Sequence, residues 1–204
     1  GRSVTIREAR LFGPAPEARE AEVRLAERSD SLGGMGFGYA LALGGRLVTP
    51  VGEGPDAEEI HRLLKASRVP YNAIMVPGCQ ADTTDLVLGG TPDRPEKLAV
   101  GLRDASRHVT SHRMAEAGGD AALTVVCSLP SAVSRDLLER AGGCKVFAPS
   151  LRYVCEADFA DALASADLAV MNEREWQTAR EPVEVLHPTA LVAVTRGTRG
   201  ARVF

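Results

Sequence analysis

Asp167-Leu-Ala-Val-Met-Asn172-Glu-Arg-Glu175-Trp176 and, after a short spacer, Ala190-Leu-Val-Ala-Val-Thr195-Arg-Gly197-Thr-Arg-Gly200-Ala-Arg-Val-Phe204 decide how the chain is read. Leu168 to Met171 is a short apolar run that stops at Asn172, and an acidic, helix-prone segment follows at once. Leu191 to Val194 is a second such run and stops at Thr-Arg-Gly before a turn. Short buried strands with polar groups at their C-terminal ends suit an open α/β sheet, where ligands bind just beyond the strand ends. Asn172 and Glu175 place an amide and a carboxylate on one helical turn, a pair suited to hydrated Mg²⁺ and phosphate. A second reading makes Asn172 a strand-end cap and Glu175 an ordinary surface acid.

Working back toward the N-terminus, the same rhythm repeats. Leu123 to Val126 reads as a strand and Ser131 to Ala141 as a helix, with Ser131 as N-cap and Gly142-Gly143 as the stop. Lys145 to Phe147 is a strand, Glu156 to Ala166 a helix, and Glu173 to Arg180 a helix. Leu47 to Val51 and Ala73 to Val76 are strands flanking a helix that runs to about Ser67, with Asp56 as its cap. Repeated βα units with short links predict a parallel sheet with helices on both faces.

Two stretches break the alternation. Thr84 to Leu88 and Lys97 to Gly101 are consecutive strands joined by Gly89-Gly90-Thr-Pro-Asp-Arg-Pro, and they predict a β-flap standing off the main sheet. Gly33-Gly34-Met-Gly36-Phe-Gly38-Tyr-Ala-Leu-Ala-Leu reads as a Gly-rich turn feeding a buried helix. Its leading glycines allow close approach of a ligand or a hinge, and equally a tight turn with small-residue packing. Val4 to Leu11 reads as a short strand, or the remnant of one, broken by Gly13-Pro-Ala-Pro. Glu17 to Arg28 suits a solvated helix or an extended edge element equally well.

Composition removes several classes of function. A net charge of −3 gives no global field for nucleic acid or anionic membrane, so nucleic acid enters only through a larger assembly. No apolar run approaches the ~20 residues of a membrane span. Cys79, Cys127, Cys144 and Cys155 are widely spaced, and His61, His108, His112 and His187 complete no zinc signature. Free buried thiols in a reducing intracellular compartment are expected, in the cytoplasm or an organelle matrix. The first residue is Gly1 rather than Met, which leads us to expect a processed or truncated chain.

Taken in order, these stretches resemble the ribokinase, or PfkB-like, family of sugar and nucleoside kinases. The resemblance rests on Gly33-Gly34 before an Ala-rich helix and on Gly45-Arg-Leu-Val-Thr-Pro-Val-Gly52. It rests equally on the β-flap as a lid over about 84–101, on Asn172-Glu-Arg-Glu175, and on Val194-Thr-Arg-Gly197-Thr-Arg-Gly200. It covers nearly all of 1–204 as a single α/β domain. It implies ATP-dependent phosphoryl transfer to a hydroxyl of a small sugar or nucleoside, with ATP and Mg²⁺ as cofactors. Asn172 and Glu175 would organise the metal and phosphates. Thr195, Gly197 and Gly200 would line the nucleotide, and Gly33 and Gly34 would approach the acceptor. Arg152, Arg196 and Arg199 are candidates to reach phosphates.

The chain departs from the family pattern at specific points. The Gly-Ala-Gly-Asp that carries the family's general base does not occur in these residues, so no catalytic residue is assigned. Ser3 to Arg7 has no acid where the family's first strand ends near one, and Gly38 stands at the family's Asn. Gly52-Glu-Gly-Pro-Asp56 stands for a Gly-x-Asp-x-x-Gly turn, and Ala148-Pro-Ser150-Leu-Arg152 for Asp-Pro-Asn-x-Arg. These departures support an alternative, a catalytically inactive kinase fold serving as a structural or interaction subunit of a larger assembly. A homodimer through the lid is a further partner arrangement that the resemblance implies.

Overall fold

Three sheets carry the strands among the described residues. A computed structural model describes residues 2–12, 20–91, 94–186 and 191–204. The Gly13-Pro-Ala-Pro break, part of the turn between the two flap strands, and His187 lie outside the described residues.

The largest sheet runs in the order β11-β10-β9-β8-β7. Its strands are β7 (Leu123–Cys127), β8 (Cys144–Ala148), β9 (Leu168–Asn172), β10 (Leu191–Thr195) and β11 (Ala201–Val203). The first four are parallel, and β11 folds back antiparallel on β10. A second, two-stranded parallel sheet pairs β3 (Leu47–Glu53) with β4 (Tyr71–Gln80). Helices α1 (Met35–Leu43), α2 (Pro55–Ser67), α3 (Ala105–His108), α4 (Ser111–Gly118), α5 (Ser131–Arg140), α6 (Phe159–Ala164) and α7 (Glu173–Leu186) cover these strands. Successive helices α4 to α7 touch one another as a layer, while α1 packs on β3 and β7 and α2 on β3 and β4. This is the expected open, mostly parallel α/β architecture with helices on both faces.

One core unites the two parallel sheets. Ile74 and Val76 of β4 share a buried cluster with Val126 of β7, Phe147 of β8, Ala169 and Met171 of β9, and Val192 and Val194 of β10. Phe147 and Phe159 are fully buried, with ring centroids 5.9 Å apart. Burying such rings removes most of their apolar area from water, worth about 25 cal/mol per Å².

The remaining strands form a sheet of their own, in the order β2-β1-β5-β6. They are β1 (Arg2–Phe12), β2 (Glu20–Asp30), β5 (Thr83–Thr91) and β6 (Arg94–Leu102). The flap strands therefore do stand apart from the parallel sheet, but they do not stand alone. Arg2 to Thr5 pairs in parallel with Asp85 to Leu88, and β2 runs antiparallel to β1. Val4 to Leu11 is thus a flap strand and not the first strand of the main sheet. The missing acid at Ser3 to Arg7 therefore does not bear on the main sheet's strand ends. The undecided Glu17 to Arg28 stretch is extended from Glu20 onward, because pairing with β1 outweighs the helix preference of its Glu, Ala and Arg residues.

Several local expectations need correction. Pro130, not Ser131, is the N-cap of α5, and Ser131 instead donates its hydroxyl to the Tyr153 carbonyl at 2.9 Å. Gly54 caps α2, with Pro55 opening the helix and Asp56 in its first turn. The Gly-rich turn does lead into α1, but that helix is not buried: Ala40 is its one buried residue, and Leu41 and Leu43 are exposed. The cysteines are free, yet Cys144 and Cys155 are exposed. Burial pushes the Cys127 thiol up to about 12. Among the described residues, no helix is long and apolar enough to cross a membrane.

Candidate nucleotide and metal site

Parallel pairing of β9 with β10 sets Leu191 opposite Leu168 and carries the register to Thr195 opposite Asn172. The two polar strand ends therefore emerge side by side at the carboxyl edge of the sheet. Thr195 Oγ1 reaches back to the Met171 carbonyl at 3.3 Å. Alternating burial explains why this end is polar: Met171 and Val194 point into the core, and Asn172 and Thr195, next along, are exposed.

Asn172 and Glu175 close a reciprocal capping box at the start of α7. The Glu175 N–H donates to Asn172 Oδ1 at 2.9 Å, and the Asn172 N–H donates to Glu175 Oε2 at 2.8 Å. This pattern satisfies two helix-terminal donors at once. Asn172 is indeed a cap, as the second reading had it. Glu175 is not a surface acid, however, for it is only 7% exposed. Burial raises its carboxyl above the usual range, while hydrogen bonds from Asn172 and the Leu151 N–H pull the other way.

A carboxyl raised in the folded state binds its proton more readily there than in the unfolded chain. Its contribution to stability is full below the unfolded value of 4.5 and is lost as pH rises through the folded value. We expect thermal melts from pH 4 to pH 7 to show the wild type losing stability relative to Glu175→Gln, which keeps the capping geometry. Parallel curves for the two proteins would show that the carboxyl is not perturbed.

Beyond Thr195 the chain makes a 3₁₀ turn over Gly197–Arg199 and closes at Gly200. Gly197 and Gly200 have φ of 60° and 81°, and a Cβ at either would meet nothing within 4 Å. The turn therefore needs glycine for its backbone and leaves open space beside it. The arginines are otherwise engaged. Arg199 pairs with Glu173, and Arg196 Nε lies 3.3 Å from the same carboxylate without hydrogen-bond geometry. Arg152 sits over the Tyr153 ring, 5.9 Å from its centroid. Trp176 stacks on Phe204, with ring centroids 5.3 Å apart.

Gly33 and Gly34 precede α1, whose first turn packs against the end of β7. A Cβ at Gly36 would lie 3.4 Å from Cys127 Sγ and from the Leu47 side chain. The glycine pair is therefore near the carboxyl edge of the same sheet, but β8 separates β7 from β9. Two strand spacings amount to about 10 Å. Sequence reading missed two participants: the Leu151 N–H, which donates to Glu175, and Glu173, which holds both arginines. A backbone donor from another loop leaves no sequence signal. The Glu173 role was signalled only by an acid at a helix start facing a basic turn.

No protein-family model matches this chain, and no curated protein matches it. Solved structures do. The chain is similar to ribokinase from Giardia lamblia, with a TM-score of 0.73 at 18% identity over 99% of this chain and 69% of that one. It is equally similar to a nucleoside kinase from Methanocaldococcus jannaschii, with a TM-score of 0.73 at 13% identity over 100% of this chain and 69% of that one. Phosphofructokinase-2 from Escherichia coli, solved with fructose-6-phosphate, gives 0.69 at 18% identity over 100% of this chain and 72% of that one. Likeness at these identities is likeness of fold: the chain has a ribokinase-like fold.

Proposed function

We propose that this chain provides the nucleotide and Mg²⁺ side of an ATP-dependent kinase acting on a hydroxyl of a small sugar or nucleoside. The observation that carries the reading is the register of β9 and β10, which sets Asn172 beside Thr195 with the Gly197 to Gly200 turn next in line. The donor set fits the cofactor. Glu175 is a buried carboxylate hydrogen-bonded to N–H groups, and the glycine turn borders open space. Asn172 and Glu175 would hold the hydrated cation, and Thr195, Gly197 and Gly200 would line the nucleotide. Gly33 and Gly34 would approach the acceptor. Bound Mg-ATP supplies the phosphoryl group and neutralises its charge; the protein's part is to position and to exclude water.

A second reading, a kinase-fold binding subunit without turnover, is favoured by the capping box. Asn172 and Glu175 satisfy each other and have a structural role without any ligand. The β2-β1-β5-β6 sheet would then be an assembly surface, and Val100 and Leu102 on its edge strand are exposed apolar residues that suit one. Calorimetric titration with Mg-ATP, followed by ATP turnover on a panel of sugars and nucleosides, separates the readings. Binding with turnover supports the kinase, and binding without it supports the subunit. Absence of binding removes the nucleotide site and leaves the structural subunit standing.

A further inference from the structure

The β5–β6 hairpin leaves the body of the protein and returns to it at one point. Cys79 near the end of β4 precedes it, and Asp104, ahead of α3, follows it. The root is tightly tied. Arg103 Nη1 donates to the Thr83 carbonyl at 2.5 Å, and Asp82 Oδ1 accepts the Asp104 N–H at 2.8 Å. Gln80 N–H donates to Asp104 Oδ2 at 2.8 Å, which orients that carboxylate. His108 Nδ1 lies 2.9 Å from the Asp104 carbonyl oxygen and 3.2 Å from Oδ1, so the ring is held against the same residue.

These ties bring three chemically different ligands together. One donor atom each from Cys79, Asp104 and His108 lies within 4.8 Å of the others. No other such group occurs among the described residues. The edges of a tetrahedral site built from bonds of about 2.0–2.3 Å fall inside that span. The surroundings are anionic as well, because Glu53 and Asp82 stand near the Cys79 thiol besides Asp104 itself. A divalent cation would relieve that field.

We propose that Cys79, Asp104 and His108 form a divalent zinc site at the root of the β5–β6 hairpin, sharing no residue with the nucleotide site. Thiolate and imidazole select Zn²⁺ over Mg²⁺ or Ca²⁺, which require oxygen donors in larger number. Three protein ligands leave a fourth position for water or an external ligand. On binding, the S–H bond of Cys79 breaks, its proton goes to solvent, and the sulfur forms a bond to the metal. The Gln80 N–H on Asp104 and the Asp104 carbonyl against the imidazole are the outer contacts that orient the ligands. The consequence is mechanical: the metal would pin the end of β4 to the start of α3 and so set the angle at which the hairpin departs.

The test is titration of the reduced chain with Zn²⁺, and with Co²⁺ to read thiolate-to-metal absorption. We expect one ion per chain, proton release on binding, and protection of Cys79 from alkylation. Cys79→Ser and His108→Ala should each weaken binding at least about tenfold. Both side chains lie at or near the surface, and circular dichroism verifies that the variants fold. Cys144→Ser/Cys155→Ser, which removes the two exposed thiols, should bind like the wild type. No stoichiometric binding, wild-type binding by either single variant, or loss of binding in the Cys144→Ser/Cys155→Ser protein overturns the proposal.

Discussion

A chain carrying Asn172→Ala and Glu175→Ala should bind Mg-ATP roughly a hundredfold more weakly than the wild type. Each substitution removes a hydrogen-bonding partner of a charged group, worth about 1.5 kcal/mol, and two such losses compound to that factor. The same variant should also lose about 1–2 kcal/mol of stability, because the box that closes the first turn of α7 is gone. The two effects have separate readouts. Calorimetry gives the affinity, and denaturant unfolding gives the stability. A stability loss with Mg-ATP affinity intact would mean that the pair is a helix cap and nothing more. Asn172→Asp sharpens the distinction: Asp caps a helix as well as Asn does but adds a charge where the polyphosphate would lie.

Gly52→Ala should cost about 3 kcal/mol and lower the melting temperature by about 6–12 °C. Gly52 lies where the register of β3 slips between Val51 and Glu53, and Glu53 then pairs with Gln80. A Cβ there would sit 2.3 Å from the carbonyl carbon of Gln80 and 2.4 Å from the Cys79 oxygen. Those are backbone atoms on a paired strand, and they cannot swing aside as a side chain could. The strand would have to move bodily, taking Cys79 and the hairpin root with it. Differential scanning calorimetry decides: a melting point within about 2 °C of the wild type would show that β3 and β4 do not approach so closely.

How far these features were legible differs from residue to residue. Leu168 to Met171 and Leu191 to Val194 were readable as buried strands because each is a short apolar run closed by a polar residue. Their helices were readable from periodicity, although α6 begins at Phe159 rather than Glu156, the residues before it forming turns. The capping box was half visible, since Asn-x-x-Glu at a strand end implies a cap as readily as a ligand pair. The partners of Arg196 and Arg199 were not visible, because Glu173 meets them across a sequence gap of 23 to 26 residues. Val4 to Leu11 was readable as a strand, but not as a strand of the flap sheet, since a strand's pattern gives its length and faces but not the sheet it joins.

By itself the sequence determined the α/β class, the order of the elements and the polar character of the strand ends. Those properties depend on near neighbours: turn residues, apolar runs of five or so, and helical periodicity. Tertiary structure alone decided that Asn172 and Thr195 share a register, and that β1 and β2 leave the main sheet to join β5 and β6. It alone buried Glu175 and gathered Cys79, Asp104 and His108 at one root. Each of these depends on pairing or packing between segments far apart in the chain, where the free energy of a contact is set by which surfaces meet rather than by local composition.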